Sequence, residues 1–288
     1  MIAEAEYHTP TDVESACRLL ADNDEAVVVA GGQSLSLLTK EGILSPDVLV
    51  DIKGIEQLEG IEADDGGLRI GATTTHRDIE TSETVAGALP ALSESASRIA
   101  DVQIRNAGTI GGVAAYADPT ADYPPVFLVS EATIAAETVD GRTEYDAEDF
   151  FVGYYRSALD EQALVTEIRL PVLDADEAIA YERLAFREND RAIVNAAAYL
   201  AAEDGTCTDA RIAVGATTNR PLLLEEPVAE LVDSDLAAST LESAAEAARA
   251  ETPVASDPSI DEAYREEMVE NLVENALETA AERLGGTR

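Results

Sequence analysis

A short apolar strand that runs into two glycines constrains this chain more than any other segment. Residues 26–30 (AVVVA) contain no polar side chain and are rich in valine, which is typical of a strand buried on both faces. Gly31 and Gly32 end the strand, and a helix is predicted from Ser34 to Thr39. Such a turn directs free backbone N–H groups and the positive end of a helix at one point, which favours a bound phosphate. The same turn is often only a connection, and the segment matches neither the Rossmann glycine pattern nor a P-loop.

A second glycine turn lies further along the chain. Residues 109–112 (TIGG) are followed by a predicted loop of small residues that carries Asp118 and Asp122. A dinucleotide has a pyrophosphate, two polyol segments and two ring systems, so its site needs several such turns from different parts of a fold. The two turns and two carboxylates fit that requirement. At this point a glycine-rich loop with solvated acids remains an equally open alternative.

The periodicity of apolar residues predicts an α+β protein in two domains. The first domain spans residues 1–173, with a small β-α-β lobe (1–53) and a larger mixed lobe (54–173), and the second spans 174–288. An acidic stretch after Pro171 marks the boundary. Strands are predicted at 26–30, 48–52, 68–72, 133–138, 163–170, 178–186, 192–202 and 210–214, and helices at 12–20, 34–39, 86–100, 236–250 and 260–284.

The charge of the chain is unusually negative. It has 58 Asp and Glu against 19 Lys and Arg, a net charge of -39, and Lys40 and Lys53 are its only lysines. Such a charge argues against nucleic acid and anionic membranes as partners. The acids are spread among apolar positions, so we interpret them as an adaptation to high internal salt rather than as a disordered tail. No apolar run of about 18 residues and no signal peptide are found, which predicts a soluble, cytoplasmic protein.

Few residues are available for metal or nucleophilic chemistry. Cys17 and Cys207 are the only cysteines, and His8 and His76 the only histidines. A cysteinyl iron–sulfur cluster needs about four thiolates, and zinc sites and histidine-based triads need similar clusters. We therefore predict no metal site and no histidine-based triad in this chain.

Four segments in fixed order resemble the successive motifs of one family. They read AGGQSL (30–35), IGATTT (70–75), QIRNAGTIGG (103–112) and ADPTADYPP (117–125). The set resembles the FAD-binding subunit of the molybdenum hydroxylases, which include xanthine dehydrogenase and aerobic carbon monoxide dehydrogenase, and the likeness covers essentially the whole chain. It implies a two-lobed FAD-binding domain of the vanillyl-alcohol oxidase (PCMH) type, followed by a C-terminal domain with a small antiparallel sheet and helices.

The resemblance also implies a set of FAD contacts. Asp122 matches a flavin-contacting aspartate, Val165 falls near the cofactor, and Arg183 stands where relatives commonly have lysine near the isoalloxazine. The first glycine turn would wrap the pyrophosphate and the second would add a backbone cradle. The residues implied in these two turns are Val28, Val29, Ala30, Gly31, Gly32, Gln33, Ser34 and Leu35 in the first, and Thr109, Ile110, Gly111 and Gly112 in the second.

Three features of the sequence depart from the family pattern. Val113 replaces the asparagine that usually follows the second turn, and residues 189–191 (NDR) replace a Gly-Asp-Tyr near the flavin. The chain also lacks the cysteines of relatives that carry an additional four-iron cluster.

The function implied is that of an electron-transfer subunit within an oxidoreductase. It would take electrons from a small subunit with two-iron clusters, which serves a molybdenum-cofactor large subunit, and pass them to an external acceptor. A dimer of heterotrimers is the implied assembly. Substrate and acceptor are left open. The alternatives are a stand-alone FAD oxidoreductase on the same fold, which would need a proton donor over the flavin, and a flavin-free scaffold.

Overall fold

The N-terminal region is a small parallel sheet with two helices. The computed structural model describes residues 5–64 and 66–285, so the outermost residues of both predicted domains lie outside it. Three parallel strands pair in the order β1-β3-β2, and the elements in chain order are β1 (Glu6–His8), α1 (Val13–Asp22), β2 (Ala26–Val29), α2 (Gln33–Lys40) and β3 (Val48–Asp51). The predicted β-α-β lobe is present, with β1 as an unpredicted edge strand.

The middle region is a five-stranded antiparallel sheet surrounded by short helices. Its strand order is β4-β5-β10-β6-β7. After a 3₁₀ turn at Glu56–Leu58, the elements are β4 (Ile61–Asp64), β5 (Gly67–Gly71), α3 (His76–Thr81), α4 (Glu83–Ala88), α5 (Pro90–Arg98), α6 (Val102–Arg105), α7 (Ile110–Tyr116), α8 (Tyr123–Val129), β6 (Thr133–Thr138), β7 (Gly141–Asp146), α9 (Ala147–Phe150), β8 (Phe151–Gly153), β9 (Arg156–Ser157) and β10 (Leu164–Leu170).

Two sequence predictions in this region were wrong in detail. The single helix predicted over 86–100 is two helices, because the backbone of Leu89 leaves the helical region and Pro90 starts α5. Proline cannot continue the hydrogen bonding of a preceding turn, but its fixed φ suits the first turn of a new helix. The predicted loop after the second glycine turn is shorter than expected, since α8 already begins at Tyr123 with Pro124 and Pro125 in its first turn.

The C-terminal region is a four-stranded antiparallel sheet covered by helices. The strands run in the order β11-β12-β13-β14, and the elements are β11 (Glu177–Leu184), β12 (Val194–Glu203), β13 (Thr206–Gly215), β14 (Leu222–Leu224), α10 (Glu226–Leu231), α11 (Ala238–Glu251) and α12 (Glu262–Gly285). This is the architecture that the resemblance implied. Within the described residues, none of the helices is long and apolar enough to span a membrane.

The C-terminal sheet is buried on both faces, which fixes its position against the middle region. Alternate residues of β12 enter two different cores: Ala196 and Ala198 pack with the helices α11 and α12, while Ala197 and Tyr199 join the core that contains Phe127 of α8. Small side chains on both faces let helices approach the sheet closely. As a result β11 and β12 lie against the residues that follow the second glycine turn.

Candidate functional site

A cavity of about 590 Å³ lies where the three regions meet. Its volume falls in the range of about 300–1,000 Å³ that is usual for cofactor sites. The first glycine turn and α2 form one side, the second turn and the loop after α7 form another, and the start of β10 and a connection between β11 and β12 also contribute to the lining. Both glycine turns that the sequence singled out therefore face one space.

The first turn leaves backbone N–H groups without partners at the start of α2. Gly32 is the N-cap residue, with a φ of 70°, and no side chain in the described part of the chain caps the helix. The first amides of a helix have no acceptor within it, so those of Gln33, Ser34 and Leu35 are available to a bound anion. These three residues line the cavity together with Gly32.

Glycine is required at position 31 by close packing between the two turns. A Cβ atom on Gly31 would lie 2.1 Å from the carbonyl oxygen of Ala107 and 2.7 Å from the Cα of Gly108. Non-bonded atoms cannot lie so close together, so a side chain at position 31 would force the backbone to shift. Because Gly31 has no side chain, the backbone of Ala107 and Gly108, just before the second turn, can pack directly against the first turn.

The second turn is held by the end of β5 and by its own threonine. The amide of Gly111 donates to the carbonyl oxygen of Ala72 at 3.0 Å, and a Cβ on Gly111 would lie 2.5 Å from the Cβ of Ala72. The Thr109 hydroxyl accepts a bond from the Gly112 amide at 3.2 Å. Because this side chain already caps the turn, the second turn offers fewer free donors than the first.

A buried histidine stands behind the second turn. His76 lines the cavity, is 3% exposed, and its Nδ1 lies 3.1 Å from the hydroxyl oxygen of Tyr123. Burial, with a smaller effect of the Arg105 guanidinium, lowers the pKa of His76 to about 3. Burial also raises the pKa of the Tyr123 hydroxyl well above its usual value, so both groups are neutral near pH 7.

Asp122 is the centre of a buried polar cluster on the cavity wall. Its carboxylate accepts hydrogen bonds from the Tyr181 hydroxyl at 2.6 Å and from the Arg183 guanidinium at 3.1 Å. Burial nevertheless raises the pKa of the Asp122 carboxyl, since loss of hydration outweighs the nearby cation. The Asn195 amide joins the cluster by donating to the carbonyl oxygen of Ala121 at 2.9 Å.

Most of the residues implied by the resemblance border this cavity. Those in its lining are Val28, Ala30, Gly31, Gly32, Gln33, Ser34, Leu35, Thr109, Gly111, Gly112, Asp122 and Val165. In the described part of the chain, Val29, Ile110 and Arg183 lie outside this lining. Contact of any of these residues with FAD stays a prediction.

His76 and Tyr116 belong to the lining and were missed by the sequence reasoning. One signal was available for His76, because Thr75 and Asp78 form a reciprocal capping box that starts α3 at this histidine. Residues 189–191, which the resemblance places near the flavin, also belong to the lining. Among the described residues, no group of three or more His, Cys, Asp or Glu side chains is arranged to hold a metal ion.

The cavity is compatible with a bound dinucleotide whose phosphates contact backbone rather than cations. Among its described lining residues, Asp118, Asp122, Glu161 and Asp190 carry carboxyl groups, and Arg191 carries a positive charge. Arg191 is already paired with Asp118 at 3.2 Å. The free amides at the start of α2 are suitable donors for a pyrophosphate, because the N-terminus of a helix favours a bound anion.

Comparison with known proteins identifies the family. Residues 3–173 match the family model described as the FAD binding domain in molybdopterin dehydrogenase, and residues 179–280 match the CO dehydrogenase flavoprotein C-terminal domain. The carbon monoxide dehydrogenase medium chain of Hydrogenophaga pseudoflava is 34% identical over 264 residues, which cover 91% of this chain and 92% of that one. The 6-hydroxypseudooxynicotine dehydrogenase complex subunit alpha of Paenarthrobacter nicotinovorans is 37% identical over 245 residues, or 84% of this chain and 83% of that protein.

Solved structures agree with these relatives. A chain of the Hydrogenophaga pseudoflava carbon monoxide dehydrogenase superposes with a TM-score of 0.94 at 35% identity, covering 98% of this chain and 99% of that chain. A chain of quinoline 2-oxidoreductase from Pseudomonas putida 86 has a TM-score of 0.93 at 30% identity, with 98% of both chains covered. The chain therefore belongs to the FAD-binding subunits of the molybdenum hydroxylases, oxidoreductases related to carbon monoxide dehydrogenase and xanthine dehydrogenase.

Proposed function

We propose that this chain is the electron-transfer subunit of its complex, receiving electrons from an iron–sulfur subunit and passing them to an external acceptor. Bound FAD supplies the ability to exchange electrons singly or in pairs. The observation that carries the proposal is the meeting of two glycine turns at one cavity, with Gly31 in backbone contact with Ala107. The chain itself would bind, orient and partly enclose the cofactor.

The buried pair of His76 and Tyr123 offers no proton donor for chemistry on an organic substrate. An independent oxidoreductase needs a proton donor poised near the working pH. Burial lowers the pKa of His76 to about 3, and the pKa of Tyr123 is raised well above its usual value. Neither residue is therefore poised to exchange a proton near pH 7.

We further propose the partners that the family resemblance implies: a molybdenum-cofactor large subunit and a small subunit with two-iron clusters, assembled as a dimer of heterotrimers. The contacts proposed for FAD are those of the two turns, Asp122 and Val165, with Arg183 near the isoalloxazine. Placement of the pyrophosphate against the start of α2 is supported by the free amides of Gln33, Ser34 and Leu35. The domain division at residue 173, the cytoplasmic location and the adaptation to high salt stay predictions.

Binding of flavins to the purified chain tests the dinucleotide site. FAD and FMN share the isoalloxazine, but only FAD has the pyrophosphate and the adenosine that the two turns would contact. Loss of about 3 kcal/mol of such contacts corresponds to roughly 100-fold weaker binding of FMN. Equilibrium dialysis of both flavins at high KCl measures the ratio. Equal affinities would contradict a dinucleotide site, and no binding of either flavin would favour the scaffold alternative.

A further inference from the structure

A connection between β11 and β12 carries residues from the C-terminal region to the cavity. We call this connection, residues 185–193, the strap. Its residues Asn189, Asp190 and Arg191 line the cavity, whereas residues 186–188 are exposed. The strap is closed at its base by the Ile193 amide, which donates to the carbonyl oxygen of Leu184 at 2.8 Å. The strap therefore forms one wall of the cavity.

The inner side of the strap is held by a buried guanidinium. Arg183 has a side chain that is 4% exposed and lies directly before the strap. It donates to Asp122 at 3.1 Å, to the backbone carbonyl of Arg98 at the end of α5, and to the backbone carbonyl of Asp190 in the strap. One side chain thus joins the cavity wall, a helix end and the strap.

The outer side of the strap is held by an exposed pair. The guanidinium of Arg191 lies 3.2 Å from the Asp118 carboxylate and 3.3 Å from the Tyr155 hydroxyl. Its side chain is 58% exposed, so this contact is open to water and salt. Exposed ion pairs are worth little individually, and the buried contacts of Arg183 should therefore hold the strap more strongly.

We propose that Arg183 is a positioning residue that fixes the strap across the cavity, so that bound FAD is released only when the strap's contacts break. This inference rests on the proposed placement of FAD in the cavity. It gives Arg183 a role through the strap, in addition to the place near the isoalloxazine that the resemblance implies.

The shape of the guanidinium is essential to this role. Its two terminal nitrogens donate in different directions, with Nη1 directed to Asp122 and Nη2 to the carbonyl of Asp190. Lysine keeps the charge but carries a single nitrogen on a flexible stem, so it cannot reproduce the planar fork. Arg183→Lys should therefore retain the attraction to Asp122 and lose the link to the strap.

The rate of FAD release from the loaded full-length chain tests the proposal. It is followed as the rise of free-FAD fluorescence after dilution at one KCl concentration. Arg183→Lys is expected to speed release at least about tenfold, as befits the loss of a charge-assisted bond. The control is Arg187→Lys, the same exchange within the strap. Arg187 is exposed, and its side chain makes no hydrogen bond or ion pair with the described residues.

Trypsin cleavage after Arg187 provides a local readout, because this residue is the same in Arg183→Lys and in the unmodified chain. A freed strap should be cut there sooner in Arg183→Lys than in the unmodified chain, with distant sites cut at unchanged rates. General destabilisation would instead speed cleavage throughout the chain. A release rate of Arg183→Lys that equals that of Arg187→Lys, cleavage after Arg187 no faster than in the unmodified chain, or cleavage that rises at every site alike, would overturn the proposal.

Arg191→Ala provides a second variant if Arg183→Lys does not fold. Loss of the exposed pair with Asp118 should speed FAD release by about two- to fivefold and raise cleavage after residue 187. Unchanged rates in a folded Arg191→Ala chain would overturn the proposal. Failure of the unmodified chain to bind FAD would be a different result, because it contradicts the cofactor site and not the strap alone.

Discussion

The burial of His76 predicts a specific dependence of folding stability on pH. Its pKa is lowered to about 3 in the folded chain, whereas an unfolded histidine titrates near about 6.5. Below about pH 6.5 the unfolded chain therefore takes up a proton that the folded chain does not. The stability contributed by the neutral, buried ring is present above that pH and is lost as the pH falls toward about 3.

The magnitude follows from the width of this window. For each pH unit over which only the unfolded chain holds this proton, the free energy of unfolding falls by about 1.4 kcal/mol. At about pH 5 it should therefore be lower by about 2 kcal/mol than at neutral pH. His76 is 3% exposed, and solvent screening of this effect is therefore small. Replacing His76 with glutamine removes the titrating group and leaves a side chain that can still bond to Tyr123.

Urea unfolding followed by circular dichroism measures this difference, because urea leaves the ionic strength unchanged. The chain is used without flavin, so that altered cofactor affinity does not enter the result. Many acids titrate in the same range, and only the difference between the unmodified chain and His76→Gln isolates this group. The reasoning is refuted if His76→Gln loses as much stability as the unmodified chain between neutral pH and about pH 5.

Three further predictions concern packing and charge. Gly31→Ala should cost about 1–3 kcal/mol and weaken FAD binding because its Cβ meets the Ala107 carbonyl, whereas Gly87→Ala, with open space around its Cβ, should cost nothing in thermal denaturation. An undiminished midpoint for Gly31→Ala would contradict the contact. Leu277→Ala should lower the free energy of unfolding by about 2–5 kcal/mol, since this side chain is fully buried against the C-terminal sheet; a loss below about 1 kcal/mol would contradict that packing. Removing KCl should lower the unfolding midpoint through unscreened repulsion, and a midpoint independent of salt would exclude the adaptation.

Local patterns in the sequence were enough to predict the turns and most of the sheets. The run AVVVA and the two glycines after it define β2 and the start of α2, and the strand predicted at 133–138 coincides with β6. The helices α11 and α12 were also predicted, and α12 repeats its apolar residues at helical spacing, whereas the short helix α10 was missed. These features depend on residues that are close together in the chain.

Features that depend on distant residues could not be predicted in this way. The strand β1 is three residues long, and its pairing with β3 depends on residues about forty positions away. The strap reaches the cavity only because β11 and β12 are packed on both faces. The bonds of Arg183 to Arg98 and Asp122 likewise join segments that no local pattern connects.

The central claim is that this chain carries FAD as one subunit of a molybdenum-containing complex. Affinity purification of the native protein from its host in high salt, with an absorption spectrum and metal analysis, tests it most directly. We predict that flavin, molybdenum and iron are recovered together with two additional chains. Flavin on a lone chain that turns over a substrate would contradict the account and favour an independent oxidoreductase.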